Sequence, residues 1–246
     1  MKVYGLIGYP LGHSFSKQYF TEKFAREALL DNRFDIFPIP SIKEFPALLK
    51  NNPLLKGMCV TIPYKEQVLE YVDVLSAEVK AIGATNSIHF SNNQLIAYNT
   101  DIIGFEQSFL KLLQPHHSKA LVLGTGGASK AVQYVLTKLG IVFLVVSRNA
   151  GSGEAQIPYK DVDEVLLEEY TIIINCTPVG MHPNDNSLPD LPYQFISTRH
   201  YLFDLVYKPA KTLFLLEGEK RGAVIENGLE MLVLQAEESW RIWKGG

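Results

Sequence analysis

Three glycines between a strand pattern and a helix pattern suggest the first chemistry in this sequence. Gly124, Gly126 and Gly127 follow the apolar run at 120–123 and precede a helical pattern, within "KALVLGTGGASKAVQYVLTKLGIVFLVVSRN". Gly124 permits a tight turn, and Gly126 lets a pyrophosphate approach the free N–H groups at the helix N-terminus, where the helix dipole favours an anion. Ser129 stands where a small residue allows close packing of helix on sheet. Inside a βαβ unit this pattern predicts dinucleotide binding; the alternative is a tight turn without a ligand.

The end of the second strand of this unit indicates which dinucleotide would bind. An NAD site has an acidic residue there to hold the ribose 2′-hydroxyl. This sequence has Ser147, Arg148 and Asn149 instead. A guanidinium and a hydroxyl suit a 2′-phosphate, because Arg forms paired charged hydrogen bonds with phosphate oxygens, whereas a carboxylate would repel it. We therefore predict NADP(H); the alternative for Arg148 is a solvated charge at a strand end.

A lysine follows an apolar run and a proline in "GMCVTIPYKE". The alternation of apolar residues predicts a strand that ends at Pro63, which cannot donate to a sheet. Thr61 and Lys65 would then lie near the carboxyl end of the strand, where open α/β sheets bind their ligands. The alternative is that Lys65 belongs to a solvated helix over residues 64–72.

Composition excludes several classes of protein. The chain has 246 residues, 47% hydrophobic and 20% charged, which is typical of a folded protein of one large or two ordinary domains. The net charge of −3 gives no electrostatic reason to expect nucleic acid or an anionic membrane as a partner. The two cysteines, Cys59 and Cys176, are far apart in the chain, which argues against disulfides and structural zinc and favours the cytoplasm.

The chain reads as two halves, both of the α/β class. Up to about residue 100, the strand patterns "VYGLIGYP", "RFDIFPIP" and "GMCVTIP" alternate with helical patterns, and "NSIHF" and "LIAYNT" predict a hairpin. The second half alternates strands and helices, which predicts a doubly wound parallel sheet. Few residues separate "SRN" from "TIIINCT", so we expect one shortened helix–strand unit there. The last helix is predicted over residues 229–243, with Leu229, Leu232, Val233, Ala236, Trp240 and Trp243 on its buried side.

Eight motifs occur in the order and spacing typical of the shikimate dehydrogenase family, which the sequence resembles from its first strand to its last helix. They are "GYPLGHSFS", "VTIPYK", "ATNS", "YNTDIIGF", "GTGGASKA", "NCTPVGM", "DLVYKPAKT" and "NGLEMLVLQAEESW". The resemblance implies NADPH-dependent, reversible reduction of 3-dehydroshikimate to shikimate, on the path to chorismate and the aromatic amino acids. It also implies an N-terminal substrate-binding domain, residues 1–101 with 229–246, and a Rossmann-like NADP-binding domain, residues 102–228.

The resemblance implies roles for individual residues. Lys65 and Asp101 match the catalytic pair: a lysine can supply or remove the proton of the reacting oxygen, and the carboxylate can orient it and bind a substrate hydroxyl. The matching substrate-binding positions are Ser14, Ser16, Thr61, Asn86, Tyr207 and Gln235. The matching cofactor positions are Gly124, Gly126, Gly127, Ala128, Ser147, Arg148, Thr177, Gly180, Met181 and Gly228. No metal is implied. Either serine could instead cap a helix, and Asn86 could cap a turn.

The main departure from the family pattern is at residue 59; milder ones are Thr125 in the glycine turn and Ser147 before Arg148. Cys59 stands where the family usually has an asparagine that contacts the substrate, and a thiol is a weak donor and a poor acceptor. We therefore expect an active enzyme with a weakened substrate site. The alternatives are a quinate/shikimate dehydrogenase of broader specificity, which Arg148 opposes, a generic Rossmann reductase, and a non-catalytic homologue, which Lys65 and Asp101 oppose. Monomers and homodimers both occur in the family, so the oligomeric state stays open.

Overall fold

The structure is a computed structural model that describes residues 1–12, 14–148 and 155–245. The chain divides into two compact units. Unit 1 consists of Met1–Thr100 and Ala236–Gly246, and unit 2 is the continuous segment Asp101–Gln235. The last helix therefore begins in unit 2 and ends in unit 1. The functional domain boundaries given above remain a prediction.

Unit 1 is built on a mixed six-stranded sheet. Its elements are β1 (Lys2–Gly8), α1 (Phe15–Arg26), β2 (Asn32–Pro38), α2 (Phe45–Asn51), β3 (Leu55–Val60), β4 (Val74–Leu75), α3 (Ala77–Ile82), β5 (Ser87–Ser91) and β6 (Gln94–Tyr98). The strand order is β2-β1-β3-β5-β6-β4. Strands β1, β2 and β3 are parallel, whereas β5 and β6 form the antiparallel hairpin that the sequence predicts.

An aromatic cluster fills one side of this sheet. Tyr4 of β1 lies with its ring centroid 5.2 Å from that of Trp240 and 5.3 Å from that of Trp243, and Phe20 of α1 packs against the same Trp243. Gly57 of β3 is required beneath this cluster, because a Cβ there would overlap the Trp243 ring. The helix residues that the sequence places on a buried face at Trp240 and Trp243 are therefore core residues of unit 1.

Unit 2 is built on a parallel six-stranded sheet, with α-helices in several of the connections between its strands. Its elements are α4 (Asp101–Leu110), β7 (Lys119–Leu123), α5 (Gly127–Lys138), β8 (Val142–Ser147), β9 (Gln156–Pro158), α6 (Glu164–Glu169), β10 (Ile172–Asn175), β11 (Tyr201–Asp204), α7 (Leu213–Glu219), β12 (Val224–Asn227) and α8 (Leu229–Trp243). The strand order is β12-β11-β10-β7-β8-β9, and all neighbours are parallel. The predicted doubly wound sheet is confirmed.

The direction of winding reverses between β7 and β10. The chain runs outward from β7 through β8 to β9, and then returns to the other side of β7 with β10. Such a switch point leaves a crevice at the carboxyl ends of the two central strands, where doubly wound sheets bind their ligands. The three-residue β9 and six-residue α6 occupy the segment for which the sequence predicts a shortened unit.

Two helix faces differ in part from the sequence pattern. In α5, Val132, Val135 and Leu136 are fully buried as predicted, but Leu139 is the C-cap residue and only half-buried. In α8 the prediction that Leu229 is buried is wrong, since 45% of it is exposed. Leu229 is the first residue of the helix and lies outside its buried face. The buried residues of the helix are Met231, Gln235, Ala236, Ser239, Trp240, Ile242 and Trp243.

Candidate active site

In unit 1, several predicted substrate residues share one end of the sheet. Strands β1 and β3 are parallel neighbours, so their carboxyl ends meet: the N–H of Tyr9 donates to the carbonyl of Ile62 at 3.1 Å. Thr61 directly follows β3, and Ser14 and Ser16 lie at the start of α1, which follows β1. The Ser14 hydroxyl accepts the Lys17 N–H at 3.3 Å and caps α1, as the alternative interpretation of this serine predicts.

Lys65 lies in a loop that two hydrogen bonds hold against the sheet. The hydroxyl of the buried Tyr64 donates to the Ile39 carbonyl at 2.6 Å, and the N–H of Thr85 donates to the Lys65 carbonyl at 2.8 Å. Lys65 itself is half-buried. The continuous helix over residues 64–72 does not form; only Gln67–Tyr71 make a 3₁₀ turn. The backbone at Lys65 is therefore fixed while its side chain extends from a short loop.

Asn86 is buried at the start of β5, beside the end of β3. The N–H of Val60 donates to the Asn86 carbonyl at 2.8 Å, which places Asn86 next to Thr61. Its side-chain Oδ1 accepts the N–H of Thr100 at 2.7 Å, and its Nδ2 lies 3.0 Å from the Thr100 hydroxyl. That hydroxyl also contacts Ser239 Oγ at 3.0 Å. Asn86 thus holds together the two ends of the β5–β6 segment as well as lying at the predicted substrate end of the sheet.

In unit 2, the glycine turn lies at the switch point. Gly124 has φ of +104°, a conformation that L side chains rarely adopt, and a Cβ there would lie 2.9 Å from Thr177. Gly126 is the N-cap of α5 and supplies no side-chain cap, while a Cβ at this position would meet nothing within 4 Å. The start of this twelve-residue helix therefore has no side-chain cap and has room beside Gly126, which fits the pyrophosphate of a dinucleotide. Gly127 and Ala128 form the first turn of that helix.

The loop after β10 lies beside this turn. The N–H of Cys176 donates to the carbonyl of Leu123 at 2.9 Å, so Thr177 starts next to the glycine turn. Gly180 has φ of +84° and is buried, whereas 43% of Met181 is exposed. Burial raises the pKa of the Cys176 thiol above its usual range, so this cysteine is neutral at physiological pH.

The residues predicted to bind the 2′-phosphate end β8. Ser147 is buried and its Oγ accepts the Nε2–H of Gln156 of β9 at 2.6 Å. Arg148 is exposed. The pKa of Tyr159 is raised by burial, and the positive charge of Arg148 opposes this with a smaller effect. A hydroxyl and an exposed cation thus lie at the end of the strand next to β7. Asn149, which belongs to the same prediction, lies outside the described residues.

Four further predicted residues lie on α4, on α8, in the segment after β11 and between β12 and α8. Asp101 is buried as the first residue of α4, and Gln235 is buried on α8. The two helices approach closely at Gly104, where a Cβ would lie 3.0 Å from the Gln235 Cβ. Tyr207 is half-buried, and burial raises the pKa of its hydroxyl. Gly228 is buried, and a Cβ there would overlap the Leu205 carbonyl oxygen.

Comparison with known proteins assigns the chain to a family. Residues 6–88 match the model of the shikimate dehydrogenase substrate binding domain. Along its whole length the chain is similar to the shikimate dehydrogenase (NADP(+)) of Caldicellulosiruptor bescii, with 37% identity over 99% of this chain and 89% of that protein. The chain belongs to the shikimate dehydrogenase family.

Solved structures agree with this membership of the shikimate dehydrogenase family. The shikimate 5-dehydrogenase of Thermus thermophilus, in complex with NADP(H) and shikimate, is 30% identical, with a TM-score of 0.87 over 100% of this chain and 94% of that one. The quinate dehydrogenase of Corynebacterium glutamicum, in complex with NAD, is 21% identical with a TM-score of 0.88 over 100% of this chain and 94% of that one. At that identity the likeness shows a shared fold alone.

Cys59, the residue that we expect to weaken the substrate site, is 5% exposed. It belongs to the apolar cluster that includes Leu6, Ala236 and Trp240. A thiol suits this surrounding, because it behaves as a small apolar group. An asparagine in its place would bring an amide into an apolar cluster.

Sequence reasoning from the shikimate dehydrogenase motifs missed a buried polar group at the ends of β10 and β11. Asn175 and Asp204 are fully buried and hydrogen-bonded to each other, with the Asn175 Nδ2 3.0 Å from Asp204 Oδ1. The sequence did carry a signal for this group, since Asp204 directly follows the apolar run "YLF" and begins one of the motifs.

Among the described residues, no group of three or more His, Cys, Asp or Glu side chains is arranged to hold a metal ion. Within the same part of the chain, no helix has the length and apolarity needed to cross a membrane.

Proposed function

We propose that this chain reduces 3-dehydroshikimate to shikimate with NADPH, reversibly, and so takes part in the formation of chorismate and the aromatic amino acids. The observation that carries the proposal is the similarity along 99% of the chain to a protein named as an NADP(+)-dependent shikimate dehydrogenase. The glycine turn at the switch point of a parallel sheet supports the cofactor part of the proposal.

The reduction needs a hydride on the carbonyl carbon and a proton on its oxygen. NADPH, when bound, supplies the hydride. We assign the proton to Lys65, whose ammonium can donate to the developing alkoxide or, in reverse, accept the hydroxyl proton. We assign to Asp101 the orientation of the reacting group through a hydrogen bond to the neighbouring substrate hydroxyl. An acidic residue is suited to the first turn of α4, because the helix dipole stabilises a carboxylate there.

The remaining substrate contacts are assigned by matching chemistry. The hydroxyls of Ser14, Ser16 and Tyr207 can donate to the substrate carboxylate without burying a second charge. Thr61, Asn86 and Gln235 can bind the ring hydroxyls, because each offers both a donor and an acceptor. The Nδ2 of Asn86 is partly engaged by Thr100, so we expect the orientation of its amide to be fixed before substrate binds.

The cofactor would be held by backbone and side-chain groups of unit 2. The N–H groups at the start of α5, Gly127 and Ala128 among them, suit the pyrophosphate, and Ser147 with Arg148 suits the 2′-phosphate. Thr177, Gly180, Met181 and Gly228 would flank the nicotinamide. We propose a cytoplasmic enzyme, because two cysteines far apart in the chain suit a reducing compartment, and one whose partners are the cofactor and a small-molecule substrate.

The test follows the absorbance of the nicotinamide while purified protein is mixed with shikimate and NADP, then with NAD, and then with quinate in place of shikimate. We expect reduction that requires shikimate and prefers NADP. Lys65→Ala should abolish it, whereas Lys56→Ala, which removes an exposed lysine from β3 of the same unit, should not. Equal rates in wild type and Lys65→Ala would contradict the role of the lysine. No turnover with any pair would contradict the proposed activity.

A further inference from the structure

One fully buried carboxylate lies where the predicted cofactor and substrate segments of unit 2 meet. Asp204 ends β11 and is 0% exposed. Its Oδ1 accepts the Asn175 Nδ2–H and the Val206 N–H, each at 3.0 Å, and its Oδ2 accepts the Thr212 hydroxyl at 2.6 Å. All three donors are uncharged, so the carboxylate serves as the common acceptor of three separate chain segments. An apolar residue here would leave three buried donors unpaired, each at a considerable cost.

The first of these hydrogen bonds leads to the loop that would flank the nicotinamide. Asn175 Nδ2 donates to Asp204 and, at 3.3 Å, to the Val179 carbonyl, and these two bonds fix the orientation of its amide so that Oδ1 faces Thr177. That Oδ1 accepts both the N–H of Thr177, at 3.0 Å, and its hydroxyl, at 2.6 Å. The Thr177 hydroxyl in turn accepts the Val179 N–H at 3.2 Å. The position of Thr177 therefore depends on Asp204 through a single intermediate side chain.

The second hydrogen bond leads to the substrate side. The bond from the Val206 N–H to Asp204 turns the chain immediately after β11, one residue before Tyr207. The Val206 carbonyl accepts the N–H of Gly228 at 3.2 Å, so the same turn also holds Gly228. The third bond, from the Thr212 hydroxyl, ties the start of α7 to the same carboxylate, because Thr212 is the N-cap of that helix.

We propose that Asp204 is a positioning residue that sets the cofactor-side loop at Thr177 and the substrate-side turn at Tyr207 through one shared carboxylate. The inference rests on the proposed function, which assigns those two segments to NADPH and to the substrate. It adds that their positions are coupled, because both depend on the same buried acceptor. Burial raises the pKa of Asp204 to about 6, so the fold retains this carboxylate against a cost in stability.

The test compares four variants by direct NADPH binding and by steady-state kinetics. Asp204→Ala removes the acceptor for both segments. Asn175→Ala removes the connection to the loop at Thr177 and Val179, and leaves the hydrogen bonds from Val206 and Thr212 to Asp204 in place. Asp204→Asn is the conservative variant: its Oδ1 can still accept from Asn175 and Val206, and its amide can donate to the Thr212 hydroxyl. His200→Ala is the matched control, because it removes buried hydrogen bonds to Ser197 and Leu167 at the opposite end of β11.

We expect Asp204→Ala to raise the Kd for NADPH and the KM for shikimate, each by about 10- to 100-fold, which corresponds to the loss of one or two hydrogen bonds to each ligand. Asn175→Ala should raise the Kd for NADPH by a similar factor and change the KM for shikimate much less. For Asp204→Asn, both the Kd for NADPH and the KM for shikimate should stay close to the wild-type values. His200→Ala should lower the melting temperature and leave both constants unchanged.

The possible negative results distinguish a failure of the proposed function from a failure of the positioning role of Asp204. If wild type neither binds NADPH nor oxidises shikimate, the proposed function fails. If wild type does both, and Asp204→Ala and His200→Ala alter the two constants to the same extent, the positioning role is overturned and Asp204 is a stability residue. If Asp204→Ala does not fold, Asn175→Ala decides: an unchanged Kd for NADPH overturns the inference, and a raised Kd with an unchanged KM for shikimate supports it.

Discussion

The buried charge of Asp204 should give this protein a pH-dependent stability that one substitution removes. The pKa of the folded-state carboxyl is raised to about 6 by burial, against 3.8 for an ordinary aspartate. Between these two pH values the folded protein binds more protons at this position than the unfolded chain does. The stabilising contribution is therefore fully present below pH 3.8 and is lost as pH rises through 6.

The magnitude follows from the pKa difference. Each pKa unit corresponds to about 1.4 kcal/mol, so a difference of roughly two units amounts to about 3 kcal/mol of unfolding free energy lost above pH 7. Asp204→Asn has no charge to bury. The unfolding free energy of Asp204→Asn minus that of wild type should thus rise by about 2.4 kcal/mol between pH 4 and pH 7, because part of the titration of the unfolded chain lies below pH 4. The reversed hydrogen bond to Thr212 adds a constant to this difference and leaves its slope unchanged.

The assay must report on unit 2. Both tryptophans of the chain, Trp240 and Trp243, lie in unit 1, so their fluorescence follows the wrong part of the molecule. Urea unfolding at several pH values should instead be followed by far-UV circular dichroism, together with amide exchange of β10 and β11. Asp161→Asn, which removes an exposed carboxylate from the same unit, is the control for the loss of one charge. A difference between Asp204→Asn and wild type that is flat from pH 4 to 7, or that falls as pH rises, would refute the reasoning.

Three other substitutions test individual residues. Gly126→Ala should leave the melting temperature unchanged, because the added Cβ meets nothing within 4 Å, and yet weaken NADPH binding; unaltered binding would mean that no pyrophosphate approaches there. Arg148→Ala should lower kcat/KM for NADP with little effect on that for NAD, because a charged hydrogen bond to the 2′-phosphate contributes about 1.5–3 kcal/mol; an equal loss with both cofactors would exclude a 2′-phosphate contact. Cys59→Asn should lower the KM for shikimate and lower the stability by about 1–3 kcal/mol, since it buries an amide among apolar side chains; an unchanged or raised KM would show that residue 59 does not contact the substrate.

Local patterns were sufficient to predict much of the fold. The βαβ unit around the glycine turn follows from apolar periodicity, and α8 has the predicted bounds, Leu229–Trp243. The hairpin of β5 and β6 follows from two alternating runs separated by a polar turn. Each of these features involves residues close together in the sequence, so that neighbouring side chains alone decide the pattern.

Features that depend on distant segments were not predictable in the same way. Asp204 lies 29 residues from Asn175, and only the parallel pairing of β10 with β11 shows that the two side chains meet. Leu229 fits the apolar stripe of α8 by spacing, but the helix begins there and its first residue lies outside the packed face. The two-residue β4 and three-residue β9 are too short to have a periodicity that a sequence could reveal.

The helix that begins in one unit and ends in the other has a consequence for the order of synthesis and folding. Unit 2 is a single continuous segment, whereas the aromatic cluster of unit 1 needs Trp240 and Trp243, which follow Tyr4 by more than 230 residues. During synthesis the N-terminal hundred residues therefore cannot complete the aromatic cluster until the whole of unit 2 has been made. Until then the groove over Gly57 stays open. We expect chains that end at residue 235 and have been released from the ribosome to contain a protease-resistant unit 2 and a first hundred residues that are readily cleaved. Equal resistance of both segments would show that unit 1 closes without its last helix.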